Sequence, residues 1–276
     1  MAERFERLYK LPDNLYVTGS PVIISAGALL KDNETGNIVT QLKFHSVSEK
    51  RIIAVKISVT AYDVSGKELQ GVEDYQYLDL NVYNGQYFGS NKAIVMPEIV
   101  TRSFEITAIT VIFDDQFIWK WDNTDSFKTI PTQESLYCKF GNADLVTQYQ
   151  LDTNKQSVNV PIVYEDLWIC ACGNATKGEI CTNCHSSKNK MFSLTDKAVL
   201  EENLSCRIAL EKAAMEEKAR KTEIENRLKA EKAEKELAKK AIKKKAFICK
   251  LKVFGIILSA CAVFALLISF GFILTL

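Results

Sequence analysis

The chain has 276 residues, with 35 Lys and Arg against 34 Asp and Glu, and 47% of its residues are hydrophobic. A formal net charge of +1 argues against a protein that binds nucleic acid through an overall basic surface. With 12 Gly and 5 Pro the composition also excludes a collagen-like or disordered chain. The length allows one or two domains.

These mean values conceal a sorting of residues along the chain. Every Tyr and Trp lies at or before Trp168, which places the packed domain in the N-terminal part. Residues 186–252 hold 19 Lys and Arg against 11 Asp and Glu, whereas residues 1–185 hold 16 against 23. The sequence therefore predicts an acidic head followed by a basic stalk.

The head is predicted to consist of β-strands. Residues 1–20 form a charged N-terminal segment in which 2–10 could be helical, and residues 21–122 form a β-sandwich domain. The clearest strand is 51–63, where alternation puts one set of side chains on a buried face: Ile53, Val55, Ile57, Val59 and Ala61.

Further strands follow from apolar segments between turn residues. Segments 22–30 and 38–47 flank a loop with turn chemistry and predict a hairpin. Four more strands are expected at 77–83, 93–96, 103–113 and 117–121. This spacing, without alternating helices, predicts an antiparallel sandwich. Residues 123–165 are less periodic and are expected to be a connector packed on the sandwich.

Four of the eight cysteines lie within fifteen residues and form two close pairs: Cys170, Cys172, Cys181 and Cys184. Two thiolate pairs on tight turns suit tetrahedral Zn²⁺. Disulfides and a redox dithiol are the alternatives. The cytoplasmic location that the C-terminal segment predicts (below) disfavours disulfides, and the absence of a βαβ pattern disfavours a redox dithiol. The sequence therefore predicts a structural zinc ribbon at 166–190. His185 could replace one ligand, although a surface position is the favoured interpretation.

The segment 168–174, followed by 181–184, resembles the zinc ribbons found beside membrane anchors in many bacterial proteins and is similar to a shortened RanBP2-type finger. The resemblance covers 17 residues. The first pair is closer, and the eight-residue loop between pairs is shorter, than in that family. The resemblance implies the four metal ligands and, through the domains attached to such anchored proteins, an immunoglobulin-like sandwich.

Residues 195–250 contain no Pro or Gly and are rich in Ala, Glu and Lys, which predicts a long charged helical stalk capped by Thr195 or Asp196. Pairs of Glu and Lys or Arg at i and i+4, such as Glu217 with Lys221, add small stabilising contributions. A coiled coil is the alternative, but the apolar heptads are short. A single solvated helix is therefore favoured.

Residues 253–276 carry no charged side chain and predict a transmembrane helix, since about 24 residues span about 36 Å. A buried core helix is the alternative. The preceding lysines predict a single-pass C-terminal membrane anchor with the N-terminal bulk in the cytoplasm. Anionic lipid head groups are expected to contact five of them: Lys243, Lys244, Lys245, Lys250 and Lys252.

No sequence motif indicates catalysis. The chain has two histidines and lacks a glycine-rich phosphate loop, a Ser-centred elbow and a His-Glu-x-x-His motif. His45 lies on the strand face opposite Leu42 and Phe44 and is expected at the solvent or rim. Asp114 and Asp115 are expected to form a turn rather than a catalytic carboxylate pair.

We therefore predict no catalytic residues and no cofactor other than structural zinc. The predicted function is that of a non-enzymatic, tail-anchored membrane protein that presents its sandwich and zinc ribbon to an unknown protein partner, for recognition or scaffolding. A membrane-linked stress or signal sensor is the alternative, while a hydrolase and a nucleic-acid-binding protein are disfavoured. The aromatic run from Tyr75 to Phe88 could serve recognition, although packing at a hairpin is favoured.

Overall fold

The computed structural model describes residues 3–121 and 125–273, without the side chains at 255, 257, 258 and 260–273. The chain divides into two compact units, Met1–Ser205 and Cys206–Leu276. The first unit holds every strand that is described, three short helices and the start of a long fourth helix. The second unit contains the rest of that helix.

The first unit is mainly antiparallel β-structure. Its strands are β1 Phe5–Lys10, β2 Leu15–Tyr16, β3 Val22–Asp32, β4 Ile38–Ser46, β5 Ile52–Tyr62, β6 Glu68–Tyr77, β7 Tyr87–Phe88, β8 Ala93–Val95, β9 Ser103–Phe113, β10 Ile118–Trp121, β11 Lys128–Thr129, β12 Ile162–Tyr164, β13 Leu167–Ile169 and β14 Ala175–Thr176. The helices are α1 Leu136–Phe140, α2 Ala143–Asp152, α3 Lys188–Ser193 and α4 Lys197–Ile273.

The strands form three sheets. The first has the order β11-β2-β3-β4-β7, with β1 also paired to β3 and β8 to β4. The second has the order β10-β9-β5-β6, and the third, beside the cysteines, has the order β12-β13-β14. The predicted hairpin of 22–30 and 38–47 is confirmed as β3 and β4, which pair antiparallel.

Side chains from the first two sheets share one hydrophobic core. Leu42 and Phe44 of β4 are fully buried there, as are Ile57 of β5 and Val111 of β9. The predicted alternation of β5 is confirmed from residue 55 onward. Ile53 is only half-buried, because a register shift at this point changes the face that it occupies.

Two predicted elements differ from the structure. Residues 5–10 form a strand on β3 instead of a helix, and an ion pair from Arg4 to Asp32 (3.1 Å) holds this segment in place; residue 2 lies outside the described part. The strand expected at 77–83 instead runs from Glu68 to Tyr77. It is a polar edge strand, and Gly71 is required there because a Cβ would lie 2.1 Å from the Val59 carbonyl oxygen.

The C-terminal helix α4 begins as the sequence predicts. The Asp196 carboxylate accepts a hydrogen bond from the Ala198 N–H (2.9 Å), which satisfies a free donor at the helix start. Two of the expected i,i+4 ion pairs form, Glu217 with Lys221 (2.6 Å) and Glu225 with Lys229 (2.7 Å).

The predicted membrane anchor is contradicted by the structure. Within the described part of the chain, α4 offers no segment that is both long and apolar enough to cross a bilayer, and neither does any other helix. The described side chains of α4 are rich in lysine, and each lysine costs about 3 kcal/mol at the centre of a bilayer. Much of 253–276 lies outside the described side chains. The predicted single-pass C-terminal anchor is therefore wrong, whereas the expected contacts of the lysines at 243–252 with anionic lipid head groups stay a prediction.

Candidate metal centre

The four cysteines occupy two tight turns of the first unit. Cys170 directly follows β13, and the turn that contains Cys172 closes with a hydrogen bond from the Gly173 N–H to the Cys170 carbonyl (2.8 Å). Gly173 has φ +88°, a conformation that favours glycine. In the second turn the His185 N–H donates to the Cys181 carbonyl (2.9 Å). Each turn therefore holds its two cysteines on a short, hydrogen-bonded stretch of backbone.

The sulfur atoms of the two turns form one cluster. All four Sγ atoms lie within 4.8 Å of one another, and the closest pairs join the two turns: Cys170 with Cys184 (3.5 Å) and Cys172 with Cys181 (3.6 Å). Four thiolates at about 2.3 Å from a tetrahedral ion would have sulfurs about 3.8 Å apart. The two cysteine pairs are therefore spaced to bind one metal ion.

Hydrogen bonds inside the cluster separate the pKa values of the thiols. The thiols of Cys170 and Cys181 interact with Cys172 and hold its pKa far below the usual range. The same interactions, together with burial, raise the pKa of Cys170. The Asn183 amide also lies 3.5 Å from the Cys172 sulfur. The cluster alone thus stabilises one thiolate, and a bound cation would stabilise the others.

A second hydrophobic core encloses the cysteines. Trp168 is fully buried, and its indole N–H donates to the Gly178 carbonyl (2.7 Å). The Tyr149 hydroxyl of α2 donates to the Met191 carbonyl of α3 (3.0 Å), and the Met191 sulfur lies 3.3 Å from that of Cys170. Burial raises the pKa of Tyr149. We call residues 136–204 around this core the metal module.

The start of α4 belongs to the metal module. Leu200 is fully buried in its core, and Leu204 packs against it. The Asn203 amide donates to the Asp152 carboxylate at the end of α2 (2.9 Å). Sequence analysis assigned these leucines to the stalk, because helical periodicity does not distinguish a leucine that contacts a neighbouring module from one that faces solvent.

Asp166 joins the metal module to the first sheet, a role that sequence analysis missed. Its carboxylate accepts hydrogen bonds from the Tyr16 hydroxyl (2.5 Å), the Lys177 ammonium (2.7 Å) and the Gly19 N–H (3.3 Å). Burial opposes its ionisation, but these donors outweigh burial and lower the pKa of Asp166. Tyr16 is almost fully buried, and its pKa is raised by burial and by this hydrogen bond.

A second contact between the module and the sheets involves His45. The predicted solvent or rim position of His45 is wrong, because the ring is 4% exposed and stacks on Tyr87 at 4.5 Å. Burial lowers the pKa of His45, opposed in part by the Gly85 backbone and the Asn174 side chain. A cavity of about 280 Å³ lies beside His45 and is also lined by Gly173 and Ala175.

The other candidate residues have ordinary structural positions. His185 is exposed and does not belong to the sulfur cluster. Asp114 and Asp115 lie in the turn between β9 and β10 and form ion pairs with Arg51 (3.2 Å) and Lys50 (2.6 Å).

The aromatic run divides between core and surface. Tyr77 and Phe88 are buried in the core of the first two sheets, as expected for packing at a hairpin. Tyr83 and Tyr87 are 48% and 55% exposed. The turn at Gly85, between these two residues, contacts the metal module, since a Cβ added at Gly85 would lie 2.8 Å from the Thr182 hydroxyl.

Comparison of the chain with protein-family models, with curated proteins and with solved structures finds no match.

Proposed function

We propose that this protein is a non-enzymatic recognition or scaffold protein, whose head combines an immunoglobulin-like β-sandwich with a structural zinc ribbon and binds a protein partner. The observation that carries this proposal is the pair of exposed tyrosines, Tyr83 and Tyr87, on either side of the turn at Gly85, which contacts the metal module. Two sheets that share one core, all of whose described strands pair antiparallel, support the immunoglobulin-like assignment.

Zinc is the ion that the cysteine cluster favours. A set of four sulfur ligands in tetrahedral spacing suits zinc or iron–sulfur chemistry, and a mononuclear four-cysteine site without an open position is the usual form of structural zinc. The ligands would be Cys170, Cys172, Cys181 and Cys184. Bound there, zinc would join two turns that are too short to form a stable core by themselves.

The proposed recognition surface consists of Tyr83, Tyr87 and Lys43. The Tyr87 ring is held from one side by stacking on His45, and the Lys43 ammonium lies 4.3 Å from its centre. Tyrosine side chains give a large contact area with few rotatable bonds, so they lose little entropy on binding. Tyr83 and Tyr87 flank a turn that contacts the metal module. This exposed pair is therefore suited to binding a protein partner.

The chemistry of the metal site supports a function without catalysis. Four thiolate ligands leave no coordination position for a water or substrate. The chain has two histidines, of which His45 is buried under Tyr87 and His185 is exposed beside the cysteine cluster.

Affinity capture with the full chain tests this proposal. We expect a partner to be recovered with the unmodified chain and lost with the double variant Tyr83→Ala/Tyr87→Ala. Tyr137→Ala is the matched control, because Tyr137 is 63% exposed but belongs to helix α1. Equal recovery with both variants, or no partner with any chain, would contradict the proposed surface.

A further inference from the structure

The exposed part of α4 contains a repeat of eleven residues. Met215, Asn226, Leu237 and Ile248 are spaced by eleven, and all four are exposed. Ile208, Ala219, Ala230 and Ala241 form a second series with the same spacing. Eleven residues make three turns at 3.67 residues per turn, so each series stays close to one line along the helix.

The two series, together with Thr222 and Ala233, form an uncharged stripe along the helix, which we call the seam. From 215 to 241 the seam positions are Met215, Ala219, Thr222, Asn226, Ala230, Ala233, Leu237 and Ala241. This face is a shallow, open surface on which Met215, Ala219, Asn226 and Ala230 are bordered by Lys218 and Glu223. The intervening positions are mainly Lys, Arg and Glu. The rest of the helix surface is mainly charged but also carries the exposed Ile224 and Leu228, and a charge-free face that continues over several turns is suited to packing against another helix.

The charges that border the seam are also arranged with the eleven-residue spacing. Lys218, Lys229 and Lys240 lie along one border. Glu223 and Glu234 lie along the other border, where Lys212 precedes them by one repeat. In a parallel pair of identical helices, each border faces the opposite border of the partner, so glutamates face lysines. In an antiparallel pair each border faces its own counterpart, so lysines face lysines.

We propose that α4 pairs with α4 of a second copy of this chain, in parallel and in register, through residues 208–241. The eleven-residue repeat gives the pair a right-handed supercoil. In the aligned pair Asn226 at the centre of the seam can hydrogen-bond to its counterpart, which favours this register over those that place Asn226 against alanine or leucine. The many alanines make the contact close but small in area, so the dimer dissociates at low concentration.

Charge reversal at the seam borders tests the proposal by sedimentation equilibrium of the full chain. A mild detergent is included, because residues 253–276 contain no charged side chain. We expect the unmodified chain to dimerise and Glu223→Lys/Glu234→Lys to raise the dimer Kd about tenfold. Lys218→Glu/Lys229→Glu weakens the homodimer similarly, and mixing the two variants restores a heterodimer.

The matched control is Glu217→Lys/Glu231→Lys, which makes the same change of charge on the opposite face of the helix and should leave the Kd unchanged within about twofold. A monomeric unmodified chain at about 100 µM would overturn the proposal, and so would equal weakening by the control. An antiparallel pair would be indicated if Lys218→Glu/Lys229→Glu tightened the homodimer, since its glutamates would then face the remaining lysines.

Discussion

At the residue scale, Asp166 shows how one carboxylate holds two parts of the head together. It accepts hydrogen bonds from a buried tyrosine of the first sheet and from a lysine of the metal module. Asp166 lies between β12 and β13, and acidic residues are common in short turns. Its position in the sequence therefore does not indicate that it contacts the first sheet. The contact becomes visible only when residues 150 positions apart are brought together.

Loss of this carboxylate should destabilise the head. We expect Asp166→Asn and Tyr16→Phe each to lower the free energy of unfolding by about 1–2 kcal/mol, and the double variant to lose less than the sum, because both remove the same hydrogen bond. Chemical unfolding measures these values. Asp13→Asn is the control, since the exposed pair of Asp13 with Lys10 should contribute less than about 1 kcal/mol. Full additivity would show that the two residues do not interact.

His45 should make stability depend on pH. Burial lowers the pKa of His45 in the folded chain from its ordinary value of 6.5, so the unfolded chain binds more protons as pH falls. Stability is therefore complete above 6.5 and is lost as pH decreases through that value. We expect His45→Gln to reduce the loss of stability between pH 7.5 and 6.0, measured by urea unfolding. His185→Gln, at an exposed position, should leave it unchanged; equal slopes for all three chains would refute this account.

At the element scale, α4 changes its surroundings along its length. Leu200 contributes to the metal module, whereas Leu210, ten residues later, is 66% exposed. Leu200→Ala should therefore cost about 2–4 kcal/mol of module stability, because it leaves a cavity in a packed core. Leu210→Ala should change stability by less than about 0.5 kcal/mol. Hydrogen exchange of residues 167–194 provides the measurement, and similar effects of the two variants would contradict the assignment of Leu200 to the module.

The same contrast explains which elements were predictable. Strands β3, β4, β5 and β9 have alternating or apolar sequences because they contribute to a buried core. Strand β6 lies at a sheet edge, where polar residues are compatible with pairing, and its sequence lacked the expected pattern. Strand β1 was expected to be helical, because nothing in its charged sequence indicates that it pairs with β3. The uncharged C-terminal segment suggested an anchor, which the described helix contradicts.

At the scale of the whole molecule, the described residues form three hydrophobic cores: one between the first two sheets, one around the cysteines, and a smaller one that combines Tyr16 and Ile23 with Leu167 and Ile169. The cysteine cluster was predictable because ligand spacing is local in sequence. The helices α1 and α2 that enclose it were only partly predictable, since their packing depends on residues such as Trp168 that lie further along the chain.

Metal removal should therefore act on the core around the cysteines more than on the core between the first two sheets. We expect about one zinc ion per chain by elemental analysis, lost on Cys170→Ser or Cys184→Ser but retained in Cys138→Ser and Cys206→Ser, which change exposed thiols. Chelation should increase hydrogen exchange at residues 167–194 while β5 stays protected. Retention of zinc in each single variant of the four clustered cysteines would refute the site.

The burial of Leu200 also orders events during synthesis. A chain that emerges from the ribosome exposes all four clustered cysteines before residue 200 is available to complete the core around them. The two sheets, whose strands are all earlier in sequence, can pack first. Newly made thiols therefore spend a period without their hydrophobic cover, during which capture of a metal ion and oxidation compete for the same sulfur atoms.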